Sequence, residues 1–163
     1  MWSIVAAAAY PSRIIGRAGK LPWRLPLELR LFRELTWGGI LVMGRRTWES
    51  LPQSLPGREV WVLSRQMTTI PTGRVFSDTN TLIEALQQQH KPVFFVGGEA
   101  VFRWAIELPM VNRLYLTWIF TAVEGDTIFP EIEENIWQPH AWELFHERCI
   151  SFIRVEYHRY ALL

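Results

Sequence analysis

Four short apolar runs limit what this chain can fold into. Residues 2–9 (Trp-Ser-Ile-Val-Ala-Ala-Ala-Ala), 40–43 (Ile-Leu-Val-Met), 59–63 (Glu-Val-Trp-Val-Leu) and 92–96 (Pro-Val-Phe-Phe-Val) are nearly continuous in hydrocarbon. Runs of this kind read as strands buried on both faces, which belong to parallel sheets with helices packed on either side. Two of them pass straight through glycine into a helical stretch: Gly44 opens residues 44–51, and Gly97-Gly98 opens 99–108. A third helix is expected at 79–89, with Leu82, Ile83 and Leu86 on one face. A short strand is expected at 74–76, a strand at 113–120, and late strands at 141–148 and 150–160. The last alternates Ile153, Val155 and Tyr157 with Arg154, Glu156 and His158, which suits an antiparallel edge. Strands alternating with helices make an α/β parallel sheet with an antiparallel end.

The stretch from Leu21 to Trp37 carries the residue that asks for an explanation. Pro26 suits the first turn of a helix, and Gly38-Gly39 supplies the stop. Leu27, Leu29, Leu31, Phe32, Leu35 and Thr36 fall on one arc. Glu28 sits in the middle of that arc, with no basic residue on its own face. A carboxylate aimed at a core is costly unless it is paired or protonated. Either it is a structural acid bonded to a backbone N–H or to an Arg from elsewhere, or it is held in a dry slot to bind a polar ligand or move a proton.

Composition narrows the classes. Seventeen Lys and Arg against sixteen Asp and Glu leave a net charge of +1, with no basic block. That argues against nucleic-acid binding through a charged field. The single Cys149 excludes an intrachain disulfide and suits a reducing cytosol, where a packing role in a strand is expected for it. The apolar N-terminus is too short to span a membrane and lacks a positive leader. His90, His140, His146 and His158 show no metal-ligand spacing, so no metal is expected. No G-x-G-x-x-G occurs; the two strand–glycine–helix junctions are the candidate phosphate seats. Open α/β sheets bind ligands at the carboxyl ends of their strands, where both junctions fall, together with the long loop of residues 11–23.

Seven motifs stand in order: Leu21-Pro-Trp23, Glu28 with Phe32 one turn on, Met43-Gly-Arg-Arg-Thr-Trp-Glu-Ser50, Leu55-Pro-Gly-Arg58, Val96-Gly-Gly98, Tyr115-Leu-Thr117 and Glu124-Gly-Asp-Thr127. In order and spacing they resemble the dihydrofolate reductase family, from about residue 3 to residue 130 and weakly beyond. The resemblance implies one domain over 1–163, with an eight-stranded, mostly parallel sheet, an antiparallel C-terminal strand and four flanking helices. It implies hydride transfer from NADPH to C6 of 7,8-dihydrofolate, with protonation at N5, by a cytoplasmic monomer whose partners are dihydrofolate and antifolate small molecules.

The resemblance also implies roles. Glu28 holds the pterin through N3 and the 2-amino group, Thr117 assists, and Trp23 fixes a water beside Glu28. Val5, Ala6, Ala7, Leu29, Phe32, Leu51, Leu55, Val96 and Phe102 line the substrate slot, and Arg58 pairs with the tail carboxylate. NADPH is held by Ala7, Ile15, Gly16, Gly19, Lys20, Leu21 and Trp23, with the 15–21 loop closing over the nicotinamide. It is also held by Gly44, Arg45, Arg46 and Thr47, by Leu63, Ser64 and Arg65, and by Val96, Gly97, Gly98, Glu99, Ala100, Val101 and Phe102. Glu99 stands where many members have a small residue, so its side chain is expected to turn away from a pyrophosphate. Phe102 stands where many have Tyr. A related reductase of riboflavin synthesis shares the fold and NADPH, but needs neither a pterin clamp nor a tail partner. A non-catalytic pterin-binding protein is the alternative that turnover separates.

Overall fold

The computed structural model describes residues 1–16, 23–51 and 55–160. In chain order the elements are β1 (Trp2–Ala9), β2 (Ile14–Gly16), α1 (Pro26–Thr36), β3 (Ile40–Gly44), α2 (Arg45–Ser50), β4 (Glu59–Leu63) and β5 (Gly73–Phe76). They continue as α3 (Thr79–Gln87), β6 (Val93–Gly97), α4 (Glu99–Ala105), β7 (Val111–Ile119), β8 (Thr127–Ile128), β9 (Trp137–Glu147) and β10 (Ile150–Arg159). The apolar runs lie together in an eight-stranded sheet of order β5-β4-β3-β6-β1-β7-β10-β9. Every pairing from β5 to β7 is parallel. β10 is antiparallel to both β7 and β9, so the C-terminal strand alone runs against the rest.

Strand alternation divides the core in two. Ile4, Ala6 and Ala8 of β1 pack with Leu82 and Leu86 of α3 and with Val101 and Phe102 of α4. Val5 faces the opposite side, where Phe32 and Leu35 of α1 and Trp48 of α2 close over Leu41, Met43 and Val62. A third cluster, around Leu25, Ile119 and Phe152, seals the start of α1 against β7 and β10.

The structure departs from the sequence reading in four places. The edge strand is β9, whose residues are mostly exposed, and not β10, which lies inside the sheet. The alternation in β10 separates two covered faces: Val155 is buried, and Tyr157 on that face accepts a hydrogen bond from Trp118 Nε1 at 3.0 Å. The stretch expected as a long loop contains β2, paired with β8 in a separate two-stranded sheet. α4 stops at Ala105 rather than running to 108. There the Arg159 guanidinium takes the carbonyls of Ile106, Leu108 and Val111 at 2.9, 3.0 and 2.7 Å, which satisfies acceptors the chain leaves beyond the helix end. Cys149 is exposed and lies in the two-residue turn between β9 and β10, where Arg148 and Cys149 have φ of 50° and 63°.

Candidate active site

α1 begins without a cap of its own. Leu25 at the N-cap offers no side-chain acceptor, and Pro26 has no N–H to satisfy. The N–H of Leu27 donates instead to both carboxylate oxygens of Glu147, at 2.9 and 3.0 Å. An anion thus sits at the positive end of the helix, supplied from the last residue of β9. The helix so anchored sets Glu28 into a narrow pocket. Its other walls are Val5, Leu31, Phe32, Leu35, Tyr115, Thr117 and Arg154. Burial pushes the Glu28 carboxyl from 4.5 up to about 7; Arg154 draws it back down, and Glu147 adds to the rise. The acid therefore changes charge near neutral pH, where an acid or base is most useful.

Beneath Glu28 the sheet presents Ala7, Thr117 and Arg154 in one cross-strand row. Thr117 is buried. Trp23 packs into the cluster of Leu25, Ile119 and Phe152, beside Ala7 and Leu27. Its indole Nε1 is buried and has no hydrogen-bond partner among the described residues. A buried N–H in that state is a seat for a water or a ligand oxygen.

The slot continues outward along α1. Phe32, Leu51, Leu55 and Val96 pack with Val5 in one apolar cluster. From Glu28 to Thr36 the helix advances about 12 Å, and at that far end stands Arg58. Its Nη1 reaches Thr36 Oγ1 at 3.5 Å and its Nε donates to the Pro56 carbonyl at 3.3 Å. The turn before it is pinned to the helix end. Gly57 has φ +79° and a Cβ there would run into the Trp37 indole, while Gly38 N–H donates to the Gly57 carbonyl at 2.7 Å. Burial and the nearby Arg33 both hold the Arg58 guanidinium below its usual value. Among the described residues Arg58 makes no ion pair, and its hydrogen-bond partners, Thr36 and Pro56, are neutral.

The two glycine junctions form one place, because β3 and β6 are neighbours. Gly97 has φ +132°, which favours glycine. A Cβ on Gly97 or Gly98 would lie 3.4 or 3.3 Å from Thr47 Oγ1, and one on Gly44 would touch Val101 at 3.7 Å. A Cβ on Gly97 would also come within 3.5 Å of the Phe102 ring, so glycine keeps this junction open beside the Thr47 hydroxyl. Gly44 pairs with Leu63 in register, so Arg45 follows beside Ser64 and Arg65. Arg45 is paired with Glu49 at 2.9 Å; Arg46 and Arg65 are exposed. Ser64 Oγ accepts from the N–H groups of Gln66 and Met67 at 3.1 and 3.3 Å.

The remaining candidates are placed unevenly. The Glu99 carboxylate pairs with Arg103 and accepts the Ile128 N–H at 3.1 Å. Ala6 and Phe102 lie in the opposite core, Phe102 against Phe129 at 5.0 Å between ring centroids, so their side chains do not line the Glu28 pocket. Leu29 is 49% exposed. Ala100 is exposed and Val101 buried, whereas Ile15 and Gly16 lie in β2. Gly19, Lys20 and Leu21 lie outside the described residues. The structure adds Leu31, Leu35, Tyr115 and Arg154 to the pocket. Arg154 was visible in the alternation of the last strand, but nothing local says which face of the sheet α1 covers.

A family model described as dihydrofolate reductase matches residues 1–160. The chain belongs to the dihydrofolate reductase family. It is 38% identical over 136 residues to a type 3 dihydrofolate reductase of Salmonella typhimurium, covering 83% of this chain and 82% of that one. It is 37% identical over 155 residues to the dihydrofolate reductase of Mycobacterium tuberculosis (strain ATCC 25618 / H37Rv), covering 91% and 92%. The solved dihydrofolate reductase of Enterococcus faecalis, complexed with NADP(H) and RAB-propyl, superposes with a TM-score of 0.87 at 31% identity, over 98% of this chain and 96% of that one.

The residues present fit the nicotinamide dinucleotide that this family uses. The strand–helix junctions at Gly44 and Gly97-Gly98 would take a pyrophosphate on backbone N–H groups, with the Thr47 hydroxyl beside it. Arg45, Arg46 and Arg65 supply cations at the adjoining strand ends. One other group of ligand-type atoms occurs among the described residues: His140, Glu156 and His158 lie within 4.8 Å of one another. The two imidazoles stack at 4.0 Å with 16° between their planes. A metal lies in the plane of the ring that binds it, so these rings would have to swing apart before both could ligate one ion.

Proposed function

We propose that Glu28, Thr117 and Trp23 form the working end of the site, with Glu28 the protein's one essential carboxyl group. The reaction follows from membership of the family. The chain is an NADPH-dependent oxidoreductase that reduces 7,8-dihydrofolate to 5,6,7,8-tetrahydrofolate, and NADPH, when bound, supplies the hydride that goes to C6. Glu28 accepts from N3 and the 2-amino group of the pterin and polarises the ring. Thr117 supports the same edge from β7. Trp23 Nε1 orients a water that carries the proton to N5. Val5, Phe32, Leu51, Leu55 and Val96 exclude bulk water from the ring, and Arg58 takes a carboxylate of the tail by a bidentate fork. Small molecules are its partners, and no helix among the described residues is long and apolar enough to cross a membrane. A single domain acting as a monomer in the cytoplasm completes this reading; light scattering in solution tests the monomer.

The observation that carries the proposal is the one carboxyl group among the residues lining the pocket, lifted by burial to about 7. Glu28→Gln keeps the shape and one hydrogen bond but cannot ionise. It should bind NADPH normally, lose about 10²–10⁴-fold in activity near neutral pH, and recover partly in acid, where substrate arrives protonated. A folded Glu28→Gln protein with full activity at neutral pH would remove the reading.

A further inference from the structure

We infer that Arg154 is a positioning residue for this reaction: it is the counter-charge that holds the Glu28 carboxylate in its anionic, doubly accepting form across the pocket floor. The inference rests on the reading of Glu28 given above and goes beyond it. Arg154 lines the pocket together with Glu28, and it is the one cation among the residues that do so. It stands in the row Ala7, Thr117, Arg154, directly below the first turns of α1.

Its position is held from three sides. The guanidinium lies over the Tyr115 ring at 5.8 Å from the centroid. Glu143 is its register partner on β9, and Glu156 follows two residues on along the same face of β10. Burial alone would weaken such a cation; Tyr115, Glu28, Glu143 and Glu156 together sustain it.

The surrounding charges decide the sign. From α1 comes Glu28. From β7 come Tyr115 and, next along that face, Arg113. From β9 come Glu143, and Glu147, which is already bonded to the Leu27 N–H. From β10 come Arg154, Glu156 and His158, the last bonded to Glu156 at 2.7 Å. Acids outnumber cations around Glu28, and Arg154 is the cation that faces it from inside the pocket. Without Arg154, Glu28 meets Glu147 uncompensated and takes up a proton at higher pH. A protonated Glu28 donates at one oxygen, which mismatches a pterin edge that offers two donors.

The test measures dihydrofolate affinity and single-turnover hydride transfer against pH for wild type, Arg154→Met, Arg154→Gln and Arg154→Lys, with NADPH affinity as the control. Loss of a neighbouring opposite charge moves a carboxyl by about 1–3 pH units. The pH at which Glu28 titrates should therefore rise by at least about one unit in Arg154→Met and Arg154→Gln, with roughly tenfold weaker dihydrofolate binding at neutral pH. Arg154→Lys keeps the charge and should keep the midpoint. Adding Glu28→Gln to Arg154→Met should remove the midpoint altogether. A merely structural arginine would lower stability and leave the midpoint in place, and Gln is included because it keeps polar contacts if Met does not fold. Unmoved midpoints in the folded Met or Gln variant, or a Lys variant shifted as far as they are, would overturn the inference. The two readings fail apart: a fully active Glu28→Gln defeats the role of Glu28, whereas an inactive Glu28→Gln beside an unmoved Arg154→Met defeats Arg154 alone.

Discussion

Replacing Glu28 by Gln should stabilise the folded protein, and the gain should appear only as pH rises. The folded-state carboxyl titrates near 7, against 4.5 for the free side chain. Between those two values the native chain keeps its proton and the unfolded chain has lost it. Stability of the wild type therefore falls as pH rises through this window and levels off above about 7. At about 1.36 kcal/mol per pH unit the full loss is about 3 kcal/mol. Glu28 is half-buried rather than sealed, so about 2 kcal/mol is the expected measured gain. Gln carries no charge at any pH and escapes the loss. Urea denaturation of both proteins, without ligands, at a series of pH values from 4 to 8.5 gives the difference directly. It should be near zero at the acid end, grow between about 4.5 and 7 and then stay flat. A difference that is the same at both ends, or a Gln variant less stable at pH 8, would show that Glu28 is an ordinary satisfied acid and that the argument from burial is wrong.

The remaining predictions address other parts of the molecule. Arg58→Leu should weaken dihydrofolate binding by about 2–3 kcal/mol, with NADPH and tail-less inhibitors unaffected; dihydrofolate titrations equal to wild type would remove Arg58 from the site. The Arg45→Ala, Arg65→Ala double variant should cut the preference for NADPH over NADH in kcat/KM by about tenfold to a hundredfold. An unchanged ratio would leave both as surface arginines, Arg45 serving Glu49 alone. Arg148→Asn with Cys149→Gly should raise stability by about 1 kcal/mol, because both turn residues have positive φ and Asn-Gly suits that turn. A urea midpoint that stays put would mean the present pair sits there without cost.

The central sheet was legible because burial on both faces leaves a mark that does not depend on partners. The runs at 2–9, 40–43, 59–63 and 92–96 became β1, β3, β4 and β6 within a residue at each end. They sit in the interior of the sheet, where hydrocarbon on both sides is compulsory. The last strands were read for existence but not for order. β9 carries an exposed Trp142 and Leu144, which locally look no more like an edge than the alternation of β10 does. β2 is three residues long and paired only with the two-residue β8, too short for any period to register. Phe32, Leu51, Leu55 and Val96, which the resemblance places in the slot, all pack against one apolar cluster. Leu29 lies on the apolar arc and the resemblance gives it a place in the slot, but α1 is covered over a narrower stripe than that arc, and Leu29 falls outside it.

Glu28 shows what local reading leaves undecided. Spacing alone put an acid on an apolar arc and allowed that it was merely structural, tied to a backbone N–H or to an Arg from elsewhere. Both kinds of partner exist in the structure, and neither disposes of the acid. The backbone N–H at the helix start is taken by Glu147, so the capping carboxylate is a different one and adds to the burden on Glu28. The Arg from elsewhere is Arg154, which offsets only part of the burial, since the carboxyl still stands near 7. Both groups come from the β9–β10 hairpin, some 120 residues on, where local periodicity cannot report. One sign was nonetheless present. A helix that starts on Leu25-Pro26 has no capping side chain of its own, and its first N–H groups must find acceptors. An uncapped start two residues before an acid on an apolar arc calls for a carboxylate and a cation from a distant segment. The hairpin that closes the sheet supplies them, which ties the ionisation of the site to the packing of the last two strands.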